Sequence, residues 1–153
     1  MNMNQRLEAL RDDRDLLKKD VAKILGVVES VYSEWENNKL SIPTKRLYQL
    51  AELFEVNIDY IVGISDIKIV IKTNRGIDLK IVSARLKEIR KSLNLTMRDL
   101  ADKFNTTSSA ISNYENSKYL ILSPFLIELC KFSNYSIDWV LGRTEQKYIN
   151  EKK

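Results

Sequence analysis

"DVAKILGVVESVYSEWENNK" at residues 20–39 and "DLADKFNTTSSAISNYENSK" at residues 99–118 stand seventy-nine positions apart, and the fold turns on whether they are one pattern written twice. Extending the comparison outward at the same offset lays Arg6 on Arg85, Leu16 on Leu95, Asp59 on Asp138 and Gly63 on Gly142 without a gap. About seventeen of fifty-eight positions are identical, and most others exchange like for like. The chain therefore uses one module twice.

Each module reads as a run of short helices. In the second, Leu86, Ile89 and Leu93 recur at helical spacing, and Thr96 with Asp99 three residues later has the form of a capping box opening the next helix. Asn105, and Gly26 at the matching place, are residue types that tolerate a left-handed turn, after which Thr107 is placed to cap a third helix. Pro43 and Pro124 fall in the loop before helix four, Asn57 and Ser136 are placed to cap helix five, and Gly63 and Gly142 to close it. The expectation is an all-α chain of two five-helix domains at 1–64 and 81–153, the second ending in a short charged tail.

The linker, 65–80, is ambiguous. "IKIVIK" and "IDLKIV" both alternate around the turn-like "TNRG", which suggests a β-hairpin with Ile67, Ile69 and Ile71 facing Ile77, Leu79 and Ile81. The second half reads equally well as the start of one long helix after Asp78.

Composition narrows the function. A chain of 153 residues, 44% apolar and 30% charged, has the make-up of a soluble globular protein. No apolar run approaches the length of a membrane span, and the charged N-terminal stretch is unlike a signal peptide, so no membrane association is expected and a cytoplasmic location is. With no histidine and with Cys130 the single cysteine, histidine or cysteine metal sites, disulfides and histidine-dependent triads are excluded. No metal or other cofactor is expected. Cys130 reads as a small core residue, and the carboxylates of Asp12, Asp13 and Asp15 as a solvated run, so an enzyme is the least favoured class. The net charge of +4 is uneven: residues 1–63 carry −2, 64–84 carry +2 and 85–153 carry +4. A polyanion is drawn to the second half.

The spaced signals "DVAKILGVVESVYSEWENNK" with "NIDYIVG", and "DLADKFNTTSSAISNYENSK" with "SIDWVLG", resemble the phage repressor and Cro family of lambda-repressor-like helix-turn-helix DNA-binding domains, over residues 4–64 and 81–143. The resemblance implies that helix three of each module enters the major groove of double-stranded DNA while neighbouring groups hold phosphates. Carried over by position, the base-reading residues are Glu29, Ser30, Ser33 and Glu34 in the first module and Ser108, Ser109, Ser112 and Asn113 in the second. The phosphate set is Lys18, Lys39, Lys45 and Arg46, with Arg98, Lys103, Thr107 and Lys118. The resemblance also implies an ion pair from helix one to the end of helix three, Arg11 with Glu36 and Arg90 with Glu115; Trp35, Tyr60 and Trp139 sit at core-facing positions and read as packing in preference to base stacking.

Chemistry separates the two copies. Asn113 suits a bidentate contact with adenine and serines donate or accept, whereas a glutamate serves a base edge only as an acceptor from cytosine and otherwise repels phosphate. Module two is thus expected to be the better base reader. Its phosphate clamp is thinner, because Met97 stands opposite Lys18 and "YLILSPF" (119–125) replaces a polar loop with one that either fills the core or forms a contact surface. The expected function is a sequence-specific DNA-binding transcriptional regulator, a repressor of phage or mobile-element type working as a homodimer or through its tandem modules. The competing expectation is an adaptor or inhibitor that uses the same fold to bind a protein partner.

Overall fold

A computed structural model describes residues 2–149, so the charged C-terminal tail expected from the sequence extends outside the described residues from 150 onward. Ten helices are present among them. The first unit, residues 1–74, holds α1 (Met3–Asp12), α2 (Lys18–Leu25), α3 (Glu29–Glu36), α4 (Thr44–Phe54) and α5 (Ile58–Ile61). The second, 75–153, holds α6 (Leu79–Ser92), α7 (Met97–Lys103), α8 (Ser108–Glu115), α9 (Ser123–Ser133) and α10 (Ile137–Val140).

Local chemistry sets the helix starts. Asn2 and Gln5 form a reciprocal capping box on α1, Thr96 and Asp99 form one on α7, and the Thr107 hydroxyl accepts from the Ala110 N–H at the start of α8. Left-handed residues then end the elements at five matching places: Asp15 and Asn94, Gly26 and Asn105, Asn38 and Ser117, Glu55 and Asn134, Gly63 and Gly142. The same backbone path is therefore traced twice, and in the second copy asparagine tolerates at one turn what glycine supplies in the first.

Each unit closes its own core. Leu7, Val21, Tyr32, Leu47, Leu50 and Ile58 are fully buried in the first; Val82, Ile89, Leu126, Leu129, Cys130 and Ile137 in the second. Trp35 and Trp139 are buried, as expected, and Tyr60 is half-buried under the Arg6 guanidinium, 4.2 Å from its ring centroid. In "YLILSPF", Ile121 joins the core, as Ile42 does in the first unit, while Tyr119 and Leu122 remain exposed. Pro124 lies inside the first turn of α9, where a missing N–H costs no helical bond, instead of in the preceding loop.

The linker departs from the hairpin expectation. Asp78 caps α6 by accepting from the Lys80 N–H at 3.0 Å, and Val82, Leu86 and Ile89 bury at helical spacing, so "IDLKIV" enters a helix. The extended stretch "IKIVIK" instead pairs back onto its own module: the Asn57 N–H donates to Ile69 O at 3.0 Å and the Ile71 N–H to Glu55 O at 3.2 Å, forming an antiparallel bridge between Val56 and Val70. Asn57 is the clamp. Its carboxamide donates to Ile67 O (3.1 Å) and accepts from the Ile69 N–H (2.8 Å), so it does not cap α5 as the sequence suggested. Ser136 does cap α10, and module two repeats the bridge between Tyr135 and Tyr148.

Candidate nucleic-acid interface

The third helix of each module, α3 or α8 and hereafter called the reading helix after the role expected of it, is fixed from below by a buried ion pair. Arg11 donates to Glu36 through Nε (3.1 Å) and Nη2 (2.8 Å), and its Nη1 donates to Leu16 O at 2.9 Å. Arg90 repeats this with Glu115 (2.7 and 2.9 Å) and Leu95 O (2.8 Å). Both guanidinium edges are occupied. These arginines tie helix one, the turn after it and the C-terminus of the reading helix together, which leaves them unsuited to phosphate. The hydrogen bond from each Glu partner raises the pKa of its arginine further, so both guanidinium groups stay charged.

With its C-terminus anchored, the reading helix turns its N-terminus outward. In module two Ser108 and Ser109 are exposed, and Ser112 and Asn113 half-exposed. Asn116 Nδ2 donates to Ser112 Oγ at 3.0 Å, leaving the Ser112 hydroxyl proton available to another acceptor. The Asn113 carboxamide makes no hydrogen bond among the described residues, so both of its ends are available to a ligand. Arg98 is exposed at the start of α7; Lys103 lies over the Phe132 ring at 3.8 Å, and Lys118 5.6 Å from the centroid of Tyr119. Arg98, Lys103 and Lys118 are all exposed on the same module as these neutral groups, and Thr107 is occupied as the cap.

Module one places the same positions differently. Glu29, Ser30 and Glu34 are exposed, and Ser33 is half-exposed and accepts from Lys18 Nζ at 3.4 Å, so Lys18 lies across the reading helix. Val28 and Leu17, at the two helix starts, give no side-chain cap; Asp20 accepts from the Leu17 N–H at 2.8 Å but has no hydroxyl to answer it. Leu17 is 56% exposed, Ile24 57% and Val28 64%, where module two has Thr96, Lys103 and Thr107. Lys39 and Lys45 are exposed. Arg46 is engaged inside the module, donating to Leu25 O at 2.6 Å and to Gln49 at 2.9 Å, which closes the end of α2. In module two the corresponding tie is aromatic, Phe125 stacking on Phe104 at 5.9 Å.

Between the two helices of each pair the backbone crosses by the same bond, Val27 N–H to Ala22 O and Thr106 N–H to Ala101 O, both 2.9 Å. A family model for the helix-turn-helix domain matches residues 4–63 and again 84–145. The chain belongs to the helix-turn-helix domain family. Among curated proteins, a single helix-turn-helix module's length of sequence is similar to two relatives from Bacillus subtilis (strain 168). One, named an uncharacterized HTH-type transcriptional regulator, YobD, is 36% identical over 62 residues, covering 40% of this chain and 55% of the relative. The other, the HTH-type transcriptional regulator ImmR, is 34% identical over 67 residues, 44% of this chain and 53% of the relative. The chain spans about half the length of the curated relatives it matches. No solved structure matches significantly. Among the described residues no helix is long and apolar enough to cross a membrane.

Proposed function

We propose that the protein is a sequence-specific DNA-binding transcriptional regulator, a repressor of the phage or mobile-element type acting by occupying promoter DNA as a homodimer, with α8 of module two in the major groove. The observation that carries this reading is the unengaged Asn113 carboxamide on an outward-facing, side-chain-capped helix whose other groove positions are all serines, with Arg98, Lys103 and Lys118 around it. Asn pairs bidentately with the N6 and N7 groups of adenine, and neutral donors at a base edge do not repel the backbone phosphates. Lys39 and Lys45 of module one add sequence-independent attraction. The names of the two relatives, both transcriptional regulators, agree with this class. Selection of bound fragments from random duplex DNA tests it: one enriched motif, bound with an affinity that falls steeply as salt is added, is the expected result, and no enrichment at low salt would sink it.

A second reading is favoured by one feature of module one. Leu17, Ile24 and Val28 put apolar groups where module two has hydroxyls and a cation, beside exposed Glu29 and Glu34. Such a face suits a protein partner with apolar and basic side chains better than it suits DNA. Binding that survives added salt and is lost on Val28→Asp, while DNA binding persists, would assign module one to that partner.

A further inference from the structure

Both modules end in an extended segment bridged to the loop before the last helix, and the outer edges of these two segments differ. In module two the edge reads Glu145, Gln146, Lys147, Tyr148, and the Gln146 side chain folds back to donate to Tyr148 O at 3.3 Å, covering an outward carbonyl. In module one the inward backbone groups are those of Ile67, Ile69 and Ile71, which bond to Asn57 and Glu55. The backbone groups of Lys68, Val70 and Lys72, which alternate with them, have no hydrogen-bond partner among the described residues. Around them Ile67 is 59% exposed, Ile69 41% and Val70 67%. An open, apolar edge is a template for another strand, and proteins that must keep such an edge unpaired blunt it with charges or side-chain caps. Module two's edge has a side chain capping an outward carbonyl; module one's carries Lys68 and Lys72 but no such cap, and its outward backbone groups stay open.

We propose that residues 66–72 of two copies of this chain pair antiparallel across a twofold axis at Ile69. A second copy is the occupant because the segment is complementary to itself in this register. Asp66, one oxygen of which accepts from Arg6 Nη2 at 2.8 Å, then faces Lys72 of the other copy, which within one chain lies 3.5 Å from Glu55. Ile67 faces Ile71, and Ile69 faces its own equivalent, while Lys68 and Val70 exchange the backbone bonds left open in one chain. Six isoleucines cluster on one face of the ribbon. Moving the axis to Val70 sets Lys68 against Lys72, like charges at directly opposed positions, which disfavours that register. Twofold pairing is the commonest symmetry of soluble oligomers, and two copies of one surface meet in it by definition. The proposal deepens the dimeric reading of the protein by naming its surface; its test contains no DNA, so it stands or falls separately from the assignment of α8 to a groove.

The test combines sedimentation with a register-specific cross-link on the full chain. The wild-type protein is expected to sediment as a concentration-dependent dimer. Val70→Pro removes only an outward N–H, which a folded monomer does not use, and should raise the dimer dissociation constant by about tenfold or more with an unchanged helical spectrum. Lys72→Asp sets a carboxylate against Asp66 of the other copy and should weaken the dimer with an unchanged helical spectrum. The Ile69→Cys variant should oxidise to a disulfide-linked dimer, because a directly opposed non-hydrogen-bonded pair brings Cα atoms to about 4.5 Å, whereas Val70→Cys, facing Lys68, should not. A monomer at all concentrations, a dimer indifferent to Val70→Pro, or a cross-link at position 70 and none at 69 would overturn the proposal.

Discussion

The two modules share a skeleton and differ on the surfaces it displays. The skeleton is held by groups that cannot vary without cost: Arg11 with Glu36 and Arg90 with Glu115 occupy the same places with the same bonds, and the five left-handed ends coincide. The displayed positions diverge freely, from Glu29, Glu34, Leu17, Ile24 and Val28 to Ser108, Asn113, Thr96, Lys103 and Thr107. One scaffold thus carries two chemically unlike faces, one neutral in a module with exposed Arg98, Lys103 and Lys118, the other acidic and apolar. A helix-turn-helix fold by itself does not say which face meets DNA.

The shared part should break hardest. Glu115→Ala leaves the Arg90 guanidinium buried without its partner, and Glu36→Ala does the same to Arg11; each is expected to cost its own module about 3–5 kcal/mol, measured by chemical denaturation. Equal, sub-kcal losses would show that the pairs are not what holds the reading helices. Next come the faces. Asn113→Ala is expected to cost about 1–3 kcal/mol on a selected site and much less on random DNA, whereas Glu34→Ala at the equivalent place in module one should leave discrimination unchanged or tighten binding. Filter binding on the two DNAs separates these outcomes.

A third difference is buried. Tyr32 lies in the core where module two has Ile111, and burial, then the neighbouring Glu36 carboxylate, push its pKa up. Its folded pKa exceeds the unfolded one, so its contribution is complete below about pH 10 and is lost as pH rises beyond, by roughly 1.4 kcal/mol per pH unit while the folded phenol stays neutral. Burial pushes the phenols of Tyr114 and Tyr135 in module two up as well, so both modules contribute to the alkaline limb, and Tyr32→Phe should flatten module one's share of it. If the alkaline limb is unchanged, the phenol does not titrate as described. Smaller still is the cap: Thr107→Val, which gives α8 the start that α3 has in Val28, should cost about 1 kcal/mol, and Val28→Thr should return part of that to module one. The smallest effect is expected at Lys45, which is exposed and unlike Arg46 has no bond to the end of α2. Lys45→Ala should weaken binding alike on all sequences and lower the salt slope by about one. Arg46→Ala should act mainly on stability, through Leu25 O.

Short-range chemistry and repetition are legible along the chain without its fold. The offset of seventy-nine, the Thr96–Asp99 box, the Thr107 cap and the turn at Gly26 and Asn105 depend on residues within a few positions of one another, and each is found as expected. The ion pairs came through likeness to a known family, since twenty-five residues separate the partners. Tertiary structure alone decided the rest. Six residues of alternating pattern fit a strand or a helix turn equally well, and "IDLKIV" became helix because Asp78 caps it and Val82 and Leu86 find a core. Asn57 has the composition of a cap, yet its carboxamide is taken by a segment ten to twelve residues away. Arg46 has the charge of a phosphate contact, yet a carbonyl twenty-one residues earlier holds it. A side chain with several satisfactory partners is assigned by which of them the fold brings within hydrogen-bond distance, and that distance is set by packing among elements far apart in the chain.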